Sequence, residues 1–107
     1  MTREHTIQAL VRCEQPIEQL RAALARLPWD WDGPPLARLT TKAVALVIRR
    51  YASGELTAEE VEAWANLVEA RDDIDAEPVA AEAIFDLANP ELQGRLSDIA
   101  STVLARL

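Results

Sequence analysis

SGELTAEEVEAWANLVEA, residues 53–70, holds a helix stop, a short link and a helix start in direct succession. Gly54 is a left-handed stop for whatever helix precedes it, because a residue without Cβ takes that conformation at little cost. Thr57 and Glu60 then form a capping box. The threonine side chain accepts from the Glu60 amide and the glutamate reaches back to the Thr57 amide. Behind the box, Val61, Trp64, Ala65 and Val68 recur on the helical period, so they predict one inner face on a helix running to about Arg71. Upstream, Thr40 or Thr41 caps a helix through about Ser53, with Ala43, Val44, Val47, Ile48 and Tyr51 on one face. Leu46 widens that apolar surface and marks the helix as central. The Glu55-Leu56 link is short enough to predict an antiparallel hairpin.

Working outward, Pro78 opens a helix over 78–88 with Val79, Ala83, Ile84 and Leu87 inward. Asn89-Pro90 breaks it, and Pro90-Glu91-Leu92-Gln93 is expected to form one short turn. Ser97 caps a last helix to Leu107, with Ile99, Val103, Leu104 and Leu107 apolar. Toward the N-terminus, Pro16 begins a helix to Leu27 whose stripe is Ile17, Leu20, Ala23, Leu24 and Leu27. Residues 28–35 contain Pro28, Gly33, Pro34 and Pro35, which forbid regular structure there and leave a linker carrying Trp29 and Trp31. Residues 2–14 read two ways. Ile7, Leu10 and Val11 fit a helix capped by Thr2, whereas Ile7, Ala9, Val11 and Cys13 alternate as in a strand. Helix is preferred, since no second strand-like run is present; a strand here would pair with a copy from another chain. The expected fold is an all-α, single-domain bundle of five to six short helices. Its parts are N-terminal helices in 2–27, a Pro/Trp linker in 28–39, and a bundle containing an acidic helix in 40–107.

The chain has 107 residues, half of them hydrophobic, enough for one modest core. No run reaches the roughly 20 apolar residues a membrane span requires. The start, Met1-Thr2-Arg3-Glu4-His5, lacks the apolar stretch of a signal peptide. A lone Cys13 cannot form an internal disulfide, which fits a reducing cytoplasm. Arginine far outnumbers the single lysine, Lys42, and alanine and leucine abound, a bias read as bacterial and GC-rich. The formal charge of −7 argues against sequence-independent binding of nucleic acid, whose phosphates demand cations.

That charge is unevenly spread. Between Glu55 and Glu91 stand twelve acidic residues and one base, Arg71; the rest of the chain has ten basic residues against six acidic. A field of one sign steers an oppositely charged partner. On the helix after the capping box, Glu59, Glu62, Asn66, Glu69 and Asp73 recur at spacings of 3, 4, 3 and 4 and are expected to share its outer face. Asp72 and Asp75 follow in the next loop. Acids near a helix start also favour its dipole and keep a surface soluble. Yet solvated faces ordinarily interleave basic residues at i+4, and here almost none appears. Arg49 and Arg50 offer Glu59 or Glu62 a pairing across the hairpin, which would neutralise part of that face.

Catalytic and metal signatures are lacking. His5 lies near a terminus, and Cys13 falls on an apolar face with only Arg12 nearby to lower its pKa, so a buried structural thiol is expected. Asp73, Asp75 and Glu77 alternate like the first ligands of a calcium loop, but Pro78 occupies the place of the required glycine and Ile84 that of the closing glutamate. No enzyme activity, cofactor or metal is expected. Of Trp29 and Trp31, one ring is expected to staple the linker to the core. The other, Trp31, beside Asp30 and Asp32, is a candidate interface anchor.

Residues 53–60, followed by an acidic helix, resemble the middle of small bacterial toxin-immunity proteins of the colicin and contact-dependent-inhibition type. The resemblance covers about twenty of the 107 residues. The chain lacks the His-Pro and Tyr-Tyr-Pro stretches of the nuclease-colicin immunity family and has an additional N-terminal third. The resemblance implies a helical inhibitor that binds a basic nuclease toxin and occludes its active site. Glu59, Glu62, Asn66, Glu69 and Asp73 would take the part of that family's toxin-binding helix. The expected partner is a basic protein, contacted through Glu59, Glu62, Asn66, Glu69, Asp72, Asp73, Asp75 and Trp31. The alternative is a structural or adaptor protein that forms a homodimer through the apolar surface of residues 2–14.

Overall fold

Four hydroxyls and carboxylates set the helix starts. Thr2 Oγ1 accepts from the His5 amide at 3.2 Å and caps α1, Arg3–Arg12. Thr40 Oγ1 accepts from the Ala43 amide at 3.1 Å at the head of α3, Thr41–Ala52. Thr57 and Glu60 make both bonds of the capping box, at 3.1 and 3.0 Å, before α4, Ala58–Glu69. Between α1 and α3 lie α2, Ile17–Ala25, and a strand β1, Ala37–Leu39. After α4 come β2, Ile74–Ala76, α5, Pro78–Ala88, and α6, Leu96–Arg106. These elements belong to a computed structural model, which describes residues 2–27, 33–69, 71–89 and 96–107. The expected turn at 90–93 and both linker tryptophans lie outside the described residues.

The fold is a single, mostly helical domain. Its radius of gyration of 13.1 Å is that of a compact chain of this length, roughly 13 Å. Among the described residues, the one departure from an all-helical bundle is a two-stranded parallel sheet in the register Ala37↔Ile74, Arg38↔Asp75, Leu39↔Ala76. The last three residues assigned to the linker are therefore β1. Parallel strands need a long crossover, and here the α3–α4 pair supplies it. Each strand runs directly into a helix, and Glu77 ties the two helix starts together. Its amide donates to Leu39 O at 3.0 Å, while its carboxylate accepts from the Thr41 amide at 2.9 Å. The carboxylate thus sits beside two positive helix ends at once.

Within residues 2–14 the helix reading holds, as α1 over Arg3–Arg12, and Ile7, Leu10 and Val11 are buried in the core. The apolar surface offered for a homodimer is thereby covered by the chain's own elements. Trp64 lies at the centre with no exposed surface, its indole N–H donating to Leu10 O at 2.7 Å. Val61, Ala65 and Val68 are buried around it, as the period required. The inner faces of α3 and α5 hold at Val44, Val47, Ile48, Ala83, Ile84 and Leu87, and one residue on each helix departs from expectation. On α3, Ala45 is buried and Leu46 is 51 % exposed; on α5, Ala80 is buried and Val79 faces outward. Smaller shifts occur at helix ends. Pro16 is the N-cap of α2 and lies outside it, α2 stops at Ala25, and α6 begins one residue before Ser97.

α3 ends in the αL arrangement foreseen for Gly54, whose φ is +86°. The Glu55 amide donates to Arg50 O at 2.9 Å and the Gly54 amide to Tyr51 O at 3.1 Å, the paired bonds of a Schellman motif. A Cβ on Gly54 would meet nothing within 4 Å. Gly54→Ala is therefore expected to cost only the left-handed penalty of about 1–2 kcal/mol. It should appear as a lower urea midpoint with unchanged slope.

The acidic face of helix α4 as a candidate binding surface

Of the twelve acids of residues 55–91, Glu91 lies outside the described residues, and the other eleven divide into two groups. Glu55 pairs with Arg50, Asp75 with Arg38 at 3.3 Å, and Asp86 with Arg106 at 2.6 Å. Glu60 closes the capping box and Glu77 holds the start of α3. Asp73 is the largest correction. It was expected on the outer face of α4, but α4 ends at Glu69, and the following bend turns Asp73 inward until it is 1 % exposed. There Arg71 grips it with two bonds, Nε to Oδ1 at 3.0 Å and Nη2 to Oδ2 at 2.8 Å. Arg3, seventy residues away in sequence, adds Nη1 to Oδ2 at 2.9 Å. Burial pushes the carboxyl pKa up, yet the hydrogen bonds and charge of Arg71 and the bond from Arg3 outweigh it, leaving it below the usual carboxylate value. Asp73 is thus structural and unavailable to a partner. Asp75 remains exposed but already faces Arg38 across the sheet.

The second group makes no ion pair among the described residues: Glu59, Glu62, Glu69, Asp72 and Glu82. Apart from Glu82 on α5, they form one line. Glu59, Asn66 and Glu69 are exposed and Glu62 is half-buried, with exposed Asp72 just beyond the helix end. At 1.5 Å per residue the stripe from Glu59 to Glu69 runs about 15 Å. Asn66 Nδ2 donates back to Glu62 O at 3.0 Å, which holds that side chain along the helix. Neither Arg49 nor Arg50 reaches Glu59 or Glu62; Arg50 instead bonds Glu55 and donates to Cys13 O at 2.8 Å. The stripe also extends to the wrong end of the helix. Glu59 favours the dipole at the start of α4, but Glu69 opposes it at the finish, where no basic residue stands in the last turn. Like charges one turn apart add a few tenths of a kcal/mol of repulsion each.

The other candidates for chemistry are accounted for by packing. Cys13 is buried at the C-cap of α1; desolvation raises its pKa and Arg50 only partly offsets this, so the thiol is protonated at neutral pH. His5 is exposed in the first turn of α1, about 12 Å along the helix from Cys13. Asp73 is held by Arg3 and Arg71, Asp75 by Arg38 and Glu77 by the Thr41 amide, and no group of side chains able to hold a metal occurs among the described residues. A cleft of about 120 Å³ between α5 and α6 is bridged by the Asp86–Arg106 pair, and falls below the 300 Å³ or more of ordinary ligand pockets. No described helix is long and apolar enough to cross a membrane.

Sequence reasoning missed the Arg3–Asp73–Arg71 cluster and the Arg38–Asp75 and Arg106–Asp86 pairs. Only the adjacency of Arg71 and Asp73 left any trace in the chain. No protein-family model, curated protein or solved structure matches this chain.

Proposed function

We propose that this protein is an acidic protein-binding module, an immunity- or antitoxin-like inhibitor that neutralises a basic protein by occluding its working surface. The observation that supports it is the line Glu59–Glu62–Asn66–Glu69, continued by Asp72 and without an ion pair among the described residues, on a helix whose inner face is wholly committed to the core. Beyond the favourable place of Glu59 at the helix start, folding gains nothing from the line and loses a little through repulsion at Glu69. A basic partner would reverse that loss. The field steers encounter, close contact excludes the partner's substrate, and no chemistry is required of this chain. A nuclease toxin is the partner that the resemblance of residues 53–60 suggests. The cytoplasm is the compartment that fits the single buried thiol.

The reading is tested on Glu62→Lys, Glu69→Lys and Asp72→Lys together, against whichever basic protein the parent retains from a lysate at low salt. Asp73 is left intact, because its loss would destabilise the fold and mimic a binding defect. Association should slow by roughly tenfold to a thousandfold at low ionic strength, with helicity unchanged. An unchanged association rate would refute the assignment of this face.

A further inference from the structure

α3 carries an outer stripe whose pattern mirrors that of α4. Lys42, Leu46 and Arg49 are exposed at spacings of 4 and 3, and Glu62, Asn66 and Glu69 stand on α4 at the same spacings of 4 and 3. In each triplet the charges lie seven residues apart, about 10 Å along the helix axis, with an uncharged residue between them. Neither Lys42 nor Arg49 makes an ion pair among the described residues. Leu46 between them is the most exposed large hydrophobic residue described, at 51 %. In a chain of net charge −7, two unpaired cations flanking an exposed leucine are as unexpected as the bare acids beside them.

Within one chain the two stripes do not pair: among the described residues no ion pair joins Lys42 or Arg49 to Glu62 or Glu69. α3 and α4 both pack on α1 and α5, so their outer lines look away from the same core. A second copy related by a two-fold axis would lay its α4 stripe on the first copy's α3 stripe and receive the reciprocal contact. Lys42 and Arg49 would then face the carboxylates of Glu62 and Glu69 in either helix direction, since both pairs have the same separation. Leu46 would bury its side chain against the Asn66 turn. The contact is made twice in such a pair.

We propose that the occupant of the α3 face is a second copy of this chain, and that the protein self-pairs through reciprocal α3–α4 contacts. The contact is rim-like and charge-led, so it is weak and salt-sensitive. It also covers the α4 acids, which makes self-pairing and capture of a basic partner mutually exclusive. The proposal does not rest on the functional reading, because its test uses this chain alone.

Sedimentation equilibrium at low ionic strength should show the average mass climbing with concentration from 11.8 kDa toward twice that value, and returning to the monomer in high salt. The variants Lys42→Glu/Arg49→Glu and Glu62→Lys/Glu69→Lys should each be monomeric, since each sets like charges against like. Mixed in equal amounts they should form a heterodimer, because every reversed stripe then meets its complement. Matching melting curves for parent and variants establish that all are folded. Arg21→Glu/Arg26→Glu, which changes net charge equally but lies on and just beyond α2, should pair as the parent does. A parent that stays monomeric at every concentration overturns the proposal, as does a dimer that survives either reversal, or a mixture that remains monomeric. Lys42→Glu/Arg49→Glu should still capture the basic partner, so failure of self-pairing and failure of the proposed function are separable.

Discussion

Trp64→Ala is expected to lower stability by about 3–5 kcal/mol, the usual range for emptying a buried aromatic site. Against a total of roughly 5–15 kcal/mol for a domain, that leaves little or nothing. Trp64 has no exposed surface and is the largest fully buried side chain described. It also tethers α4 to α1 through its indole N–H and Leu10 O. Trp64→Phe separates the two contributions. It keeps most of the volume and removes the bond, but Leu10 O is not orphaned, since the Cys13 amide still donates to it at 3.0 Å. The phenylalanine variant should therefore lose about 1–2 kcal/mol, mostly one hydrogen bond and some packing. Urea titration should order the three proteins as parent, Phe, Ala. Equal losses for Phe and Ala would place the stabilisation in the hydrogen bond and not in the filled volume.

The features of the chain that were legible in sequence are those whose partners lie within one helical turn. The capping box at Thr57 and Glu60, the Gly54 stop and the Val61–Trp64–Ala65–Val68 face all fall within four residues of their partners, and all were correctly placed. Leu46 and Val79 failed for a different reason. Both are larger apolar residues beside a buried alanine, and the helix phase was set by the whole run, Ala80, Ala83, Ile84 and Leu87, and not by the most hydrophobic neighbour. β1 and β2 had no readable period, being three residues each, and their pairing partners stand thirty-seven positions apart. The crossover that brings them side by side is the whole α3–α4 pair. On the candidate face, Glu59, Glu62, Asn66 and Glu69 followed from spacing alone, because α4 keeps its period to Glu69. Extending that period to Asp73 assumed the helix went on. It ends, the bend reverses the direction of the side chain, and a partner-binding candidate becomes the most buried charge described.

That carboxylate carries the second large expectation. Asp73→Ala should destabilise by about 3 kcal/mol or more, the lower end of the range for breaking a buried ion pair by deleting one partner. Arg3 and Arg71 are 12 % and 19 % exposed, so each keeps some contact with water after the loss, which argues against the upper end. In a domain of this size the melting temperature should drop by more than about 10 °C. Arg3→Met should be milder, because Arg71 retains its two bonds and the methionine stem covers the same surface. It should chiefly loosen α1, seen as faster amide exchange there than in α4. Acid gives an independent check. Folding holds the Asp73 pKa below its unfolded value, so the folded state binds this proton less readily than the unfolded chain. The stabilisation is complete above the unfolded carboxyl value of about 4 and is lost as pH falls from there through the lower folded value. Parent stability should therefore fall on acidification below about pH 4. Asp73→Asn, weaker at neutral pH, should fall less steeply over that interval because its side chain takes up no proton. If parent and asparagine variant show the same acid slope, other carboxylates govern acid unfolding and the Arg3–Asp73–Arg71 cluster is only a packing feature.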